Sequence, residues 1–367
     1  MNRRHFLAAS ISAATLASPI AAAGRESLSE RTRRLLRESL VLDMTGANSP
    51  IHAISLTSVG YDTWIQKYKD AGVTWLSMTA GSDFVKPTGQ MMHVLAANRR
   101  YVLERPDEYV FIHTVDDVAR AKKEGKLGVN FNFQGSTPLE GDINMVEPLK
   151  LMGVGHMLLA YNDKNMAAGG SHDHDNPGLS IFGRRLVAEM NRVGMVCDGT
   201  HMSERSTLEM CELSTQPVIF SHSVARALRE HERNISDEQI RACADTGGVI
   251  GVNGVSLFMT EALYDTSPEH LFRHIDYMCE LVGEEHVGLG LDHVPLQDEP
   301  YPVENVTPQY TENYGTEQYP PINRLAIAGP DVIPPLTEVM VKHGYTDAQI
   351  KGILGENFMR VFREAWG

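Results

Sequence analysis

A chain of 367 residues with 42% hydrophobic and 22% charged side chains can bury a sizeable core, and those ordinary proportions exclude an intrinsically disordered chain. Its formal net charge of −14 argues against nucleic acid and anionic membrane surfaces as partners, since both recruit clustered Lys and Arg. The four cysteines, Cys197, Cys211, Cys243 and Cys279, show no CxxC spacing and fall mostly in runs with strand or helix character, which reads as buried free thiols and not a disulfide framework.

At the N-terminus, Asn2-Arg3-Arg4-His5-Phe6-Leu7 precedes an Ala/Ser/Ile/Leu run that ends in Ala21-Ala22-Ala23. Basic n-region, short apolar h-region and small-residue cleavage site make this a secretory signal, and the arginine pair resembles a twin-arginine export signal. Residues 1–23 are therefore expected to be removed, leaving a periplasmic or otherwise exported domain over 24–367. Loss of Arg3 and Arg4, with no acid in the segment, takes the net charge from −14 to −16. No other window approaches transmembrane length, so no membrane span is expected once the signal is gone.

Glu30 to Ser39 reads as a charged amphipathic helix leading into the apolar run Leu40 to Leu42, which Asp43-Met44-Thr45-Gly46-Ala47-Asn48 closes as a polar strand end. A helix over Trp64 to Ala71 and a strand over Val73 to Met78 follow, then a long helix from Pro87 to Arg100, with its proline in the first turn. Tyr109 to Ile112 is short and extended, Val115 to Glu124 helical, and Gly128 to Phe133 a strand ending at Gln134. Leu139 to Met152 reads as largely helical, and Met157 to Ala160 as a strand closed by Tyr161-Asn162-Asp163. The loop Ala167 to Gly178 holds His172 and His174 among Gly, Asn and Pro, which reads as a solvated surface turn.

Helix Ile181 to Arg192 leads to two matched units. The apolar runs Val193 to Cys197 and Pro217 to Phe220 each end in a polar cluster holding a histidine, His201 in DGTH and His222 in SHS, with a Ser203-capped helix between them. Ser236 to Asp245 has capping-box form, Gly247 to Asn253 is a strand, Pro268 to Val282 a helix, and His286 to Leu291 a strand ending in Asp292-His293. Pro295 to Pro321 reads as a long loop, and helices Pro334 to Lys342 and Asp347 to Trp366 close the chain.

Polar strand ends thus fall near Asp43, Thr79, Gln134, Tyr161, Asp198, Ser221, Asn253 and Asp292. Eight strands with helices between most of them predict an α/β fold, a single-domain (β/α)8 TIM-like barrel, with a doubly wound sheet as the alternative. Parallel strands align their carboxyl ends on one face, so His201 and His222 should converge there, and His is the commonest metal ligand.

The segments GLSIFGRRLVAEMNRVGMVCDGTHMSERS, PVIFSHSVARAL, HERNISDEQI and GLGLD, with IKGILGENFMRVF near the end, closely resemble the membrane dipeptidases, or renal-type dipeptidases, from about Leu40 onward. That family is a metal-dependent hydrolase barrel. The resemblance implies that His201 and His222 hold a metal, that Arg233 grips the dipeptide carboxylate, and that Asp292 ends the last strand as base or as a third metal ligand. Three features depart from the family. Its first-strand His-x-Asp pair aligns with Thr45 and Ala47, its bridging carboxylate with Gln134, and its carbonyl-polarising histidine with Tyr161. The implied function is an exported metal-dependent hydrolase that cleaves a dipeptide or related small amide with a reduced site: one divalent cation, zinc first, and the Tyr161 phenol facing the developing oxyanion. Glu140, Asp142 and Asp43 are candidates to replace the lost carboxylates, though each reads as a helix-cap or loop acid. For Arg233 the alternative is a surface salt bridge with Glu230 or Glu232. A barrel that has lost catalysis and binds a small carboxylate ligand or a partner protein is the competing function; metal content separates the two. A homo-oligomer is left open.

Overall fold

The computed structural model describes residues 28–46, 58–83, 88–294, 307–320 and 326–367, so the signal-like segment 1–23 and Ala47 lie outside the described residues. In chain order the strands are β1 (Leu42–Gly46), β2 (Trp75–Ser82), β3 (Tyr109–Phe111), β4 (Leu127–Gln134), β5 (Val154–Leu158), β6 (Val196–Asp198), β7 (Ile219–Ser223), β8 (Val249–Val252) and β9 (Val287–Leu289). All but β3 run in parallel in the order β1-β2-β4-β5-β6-β7-β8-β9. The ring is nearly closed between β9 and β1, where Gly46 bridges His293, the Asp292 N–H donates to the Thr45 carbonyl at 3.0 Å, and the Leu291 N–H donates to Asp43 Oδ1 at 3.0 Å. The eight barrel strands are those whose ends the sequence marks. The extended piece at Tyr109 is β3, which pairs only with the start of β4.

Every strand residue is buried, as expected for a parallel sheet covered on its outside by helices. The amino ends of the strands are sealed by the last helix, Asn357–Trp366: Phe358, Val361 and Phe362 pack with Leu42, Trp75, Val196, Ile219 and Val249. Trp75 and Phe362 stand 4.7 Å apart between ring centroids. With that end plugged, side chains that do chemistry are left the carboxyl ends, as in other α/β barrels.

The expected caps are present. The Ser203 side chain accepts the Ser206 N–H at the start of Glu204–Leu213, and Ser236 and Gln239 form a reciprocal capping box on Asp237–Asp245. Three readings are corrected. Asp43 does not sit in a strand-closing loop but inside β1, fully buried. The stretch 139–152 is two short 3-10 turns and one helix, Val146–Leu151, because Gly141 at φ +78° and Glu140 at φ +49° break a continuous helix. The expected loop 295–321 contains a helix, Thr307–Tyr314, and residues 295–306 and 321 lie outside the described residues.

Candidate active site at the barrel mouth

His201 follows β6 and His222 lies on β7, and their Nε2 atoms face each other at 3.0 Å. Each ring is fixed by its other nitrogen: His201 Nδ1 meets Asn162 Oδ1 at 2.6 Å, while His222 Nδ1 meets Ser221 Oγ at 2.8 Å and Thr45 Oγ1 at 3.0 Å. The Asn162 oxygen only accepts, so His201 carries its proton on Nδ1 and presents a bare Nε2. Burial, reinforced by the Arg233 charge, holds both imidazoles well below their usual pKa, and both are therefore neutral at pH 7. His201 and Asp292 both adopt a left-handed backbone, φ +67° and +59°, a conformation uncommon outside glycine that clusters at functional positions.

Two imidazole nitrogens on one tetrahedral zinc stand roughly 3.3 Å apart, close to the 3.0 Å found here. The pair therefore fits one divalent cation, with the outer-shell hydrogen bonds that metal-binding histidines use already made. Among the described residues no group of three or more His, Cys, Asp or Glu is placed to hold an ion. Thr45 is not a metal ligand but the partner of His222, and Gln134 is occupied elsewhere, its Nε2 donating to Thr79 Oγ1 at 3.0 Å. Glu140 and Asp142 are exposed; Asp142 caps a 3-10 turn by accepting the Asn144 N–H.

Arg233 is 3% exposed and makes no salt bridge with Glu230 or Glu232. One Nη2 hydrogen donates to the His222 carbonyl at 3.0 Å, and Nε, buried, has no partner among the described residues. Among the described residues Asp292 accepts only a long 3.4 Å bond, from Asn253 Nδ2. Desolvation, opposed by the Arg233 charge and that bond, raises its carboxyl to about 7. The Tyr161 ring stacks on His201 with centroids 3.8 Å apart, and burial pushes its phenol well above the usual range, so it keeps its proton. Asp83 braces this corner by accepting the Tyr161 N–H at 3.0 Å and the Thr137 N–H at 2.8 Å.

Several residues that matter here escape a reading of the sequence. Asp198, the aspartate of DGTH, accepts from the Thr200 and Ser221 N–H groups and from His156 Nδ1 at 3.0 Å. Burial raises its pKa, but the His156 bond and charge prevail and bring it down to about 2. From His156 the hydrogen bonds continue through Ser77, Asn132 and Thr79 to Gln134, tying β6 to β5, β2 and β4 beneath the mouth. Its strand-end position was the available signal for Asp198; a lone histidine inside an apolar strand offers none. His172, expected on a solvated turn, is 5% exposed, bonded to Glu232 at 2.7 Å and to Tyr319 Oη at 2.9 Å. Its loop folds inward because Gly170 and Ser171 pair with the residues after β6.

Residues 66–309 match the model of the membrane dipeptidase family, peptidase family M19. An uncharacterized dipeptidase of Schizosaccharomyces pombe is 28% identical over 294 residues, 77% of this chain; the chain spans 64% of that relative's length. An amidohydrolase structure from Pseudomonas aeruginosa superposes with a TM-score of 0.79 at 27% identity, covering 92% of this chain and 99% of that one. A metallo peptidase from Rhodobacter sphaeroides, liganded with a phosphinate mimic of L-Ala-D-Ala, shares the fold with a TM-score of 0.72 at 18% identity, covering 90% of this chain and 100% of that one. With more than half of its length matched by the family model, the chain belongs to the membrane dipeptidases, a family of hydrolases built as metallopeptidases.

Proposed function

We propose that this protein hydrolyses a dipeptide or related small amide with a free carboxylate, using one divalent cation held by His201 and His222, zinc being the best match to two imidazoles. The observation that carries the reading is Arg233, a buried guanidinium beside the histidine pair whose Nε has no partner among the described residues. Buried charged donors are rarely left unpaired, and a carboxylate satisfies two of them at once in parallel. The cation, when bound, supplies Lewis acidity toward the scissile carbonyl and acidifies water. Arg233 fixes the substrate by its terminal carboxylate. Asp292, raised to about 7, is poised to take a proton at neutral pH and return it to the leaving amine. Tyr161, protonated, donates to the carbonyl oxygen as negative charge gathers there.

Metal analysis of the purified mature chain should return at most one tightly bound ion. His222→Ala should abolish kcat/KM on dipeptides, whereas Arg233→Ala should act mainly on KM, by about 2 kcal/mol or more. Arg233-dependent binding with no turnover of any dipeptide or N-acyl amino acid would favour the binding barrel instead. We also read the protein as exported, on the strength of Arg3-Arg4 and the apolar run behind them. Changing both arginines to Lys should strand the precursor in the cytoplasm, and mature protein in the periplasm after that change would remove the assignment.

A further inference from the structure

Over the barrel mouth lies the segment from helix Thr307–Tyr314 to Tyr319, a stretch the hydrolase reading above does not use. The Tyr310 hydroxyl approaches the phenol of Tyr161 and feels the charges of Arg233 and Asp292. Its ring lies 5.0 Å from that of Tyr319 and 5.6 Å from that of Tyr314 between centroids, in the segment that meets His172 and His231 beside Arg233. Among the described residues several clasps hold the segment. Tyr314 stacks on His172 at 4.1 Å and donates to Asp163 Oδ2 at 2.8 Å. Tyr319 Oη meets His172 Nε2 at 2.9 Å. Gln318 accepts from His231 Nε2 and from the Glu232 N–H, each at 2.9 Å, next to Arg233 in sequence.

Two further observations bear on what the segment does. His201, His222 and Arg233 are 6%, 0% and 3% exposed, so the way to them must open before a dipeptide can enter. The segment's apolar contacts belong to a small satellite cluster of Val255, Leu257 and Tyr319 with Tyr310 and Tyr314 around it, separate from the main cores of the barrel. Beyond it the chain is pinned back to the barrel, the Ser256 N–H donating to the Ala326 carbonyl at 2.9 Å. A segment with few buried apolar contacts, anchored on the barrel, opens at far lower free energy than the fold as a whole.

We propose that Thr307–Tyr319 is a lid that opens to admit substrate, and that Tyr310 is the specificity-determining residue, confining the site to ligands whose side chain beside Tyr161 is small. A substrate carboxylate on Arg233 and its amide at the histidine pair must lie against the Tyr310 ring when the lid shuts. Removing that ring frees the volume of a phenol, enough for a large side chain. The specificity half rests on the carboxylate-gripping role of Arg233; the lid half does not, and the two are tested apart.

Lid opening is read without turnover, by diethyl pyrocarbonate labelling of histidines in the metal-free mature chain, resolved by peptide mass spectrometry. In the Tyr314→Phe, Tyr319→Phe double variant, labelling of His201 and His222 should accelerate at least about tenfold as two clasps are lost. His156, fully buried in the barrel interior away from the lid, should stay at its wild-type rate. Unchanged rates at His201 and His222, or an equal acceleration at His156, overturn the lid. Specificity is read by calorimetric binding of Ala-Ala and Phe-Phe. Tyr310→Ala should shift the affinity ratio toward Phe-Phe by about tenfold or more, the scale of filling or vacating an aromatic-sized pocket, while Tyr310→Phe should preserve it. A ratio unmoved by Tyr310→Ala, or no binding of either dipeptide to any of the proteins, overturns the role of Tyr310. Binding that shifts as expected in a protein without turnover would uphold Tyr310 and sink the hydrolase reading alone.

Discussion

Thr45 stands where the family resemblance expects a first-strand metal ligand, and here its hydroxyl meets the imidazole of His222 at 3.0 Å. With Ser221 Oγ on the same nitrogen, the ring is oriented so that Nε2 points at His201. Outer-shell partners of this kind typically carry a factor of roughly 10–100 in metal affinity. Thr45→Val keeps the shape and removes the hydroxyl. Metal affinity by competition with a chelator should fall toward the lower end of that range, since Ser221 remains, with kcat/KM falling alongside. An unchanged affinity would mean that Ser221 alone orients His222. The two histidines were legible because each ends an apolar run. The hydrogen bonds that aim them were not, since Asn162 and Thr45 lie 39 and 177 residues from their partners. Nor does the sequence reveal the left-handed backbone at His201 and Asp292, which both residues adopt without being glycine.

Between β7, β8 and β9 the barrel wall depends on two glycines. A Cβ on Gly290 would lie 1.7 Å from the Ser221 carbonyl oxygen and one on Gly251 2.2 Å from the same atom. The obstructing atom is backbone in the strand that carries His222, so it cannot swing aside as a side chain would. Gly290→Ala should therefore push β9 off β7, dislodge Asp292 relative to His222, and lower stability by more than the 1–3 kcal/mol usual for overpacking. Urea unfolding of the variant checks this, and a stability within about 0.5 kcal/mol of wild type, the scale of a neutral surface change, would show that the strands can yield. The eight strand ends were readable since polar residues interrupt continuous apolar runs, and so were the Ser203 and Ser236 caps. Helix Thr307–Tyr314 was not readable, for a physical reason. Its TPQYTENY stretch offers only Tyr310 and Tyr314 at helical spacing, and the contact of Tyr314 with His172, which helps to bury it, lies far outside any local window.

Across the molecule, the barrel interior holds carboxyls pushed in opposite directions, and the fold should answer to pH on both sides. Asp198 is brought down to about 2, below the ordinary 3.8, by His156. The folded state therefore binds its proton less readily than the unfolded chain, so its contribution is complete above about 4 and is lost as the pH falls toward 2. Asp43 is raised to about 7, chiefly by burial, which the Thr45 and Leu291 N–H groups offset in part and the nearby Asp292 charge reinforces. Here the folded state keeps a proton that the unfolded chain has released. That contribution is complete below about 4 and drains as the pH rises toward 7. One oxygen of Asp43, Oδ2, is buried with no hydrogen-bond partner among the described residues, which makes the ionised form costly and leaves room for a neutral amide. Between pH 5 and 7 the buried neutral histidines His172, His201, His222, His231 and His274 act in the opposite sense, because the unfolded chain takes up protons that these imidazoles refuse, so the share of Asp43 is read by difference. Asp43 should subtract up to about 1.4 kcal/mol per pH unit from the slope of the unfolding free energy of the metal-free protein in this window. Asp43→Asn should therefore make that slope more positive, while Asp198→Asn should lower stability at pH 5 and flatten the loss between pH 4 and 2. Urea titrations of the three proteins across this range separate the two groups, and a slope between pH 5 and 7 that Asp43→Asn leaves unchanged or lowers would reverse the sign assigned to Asp43.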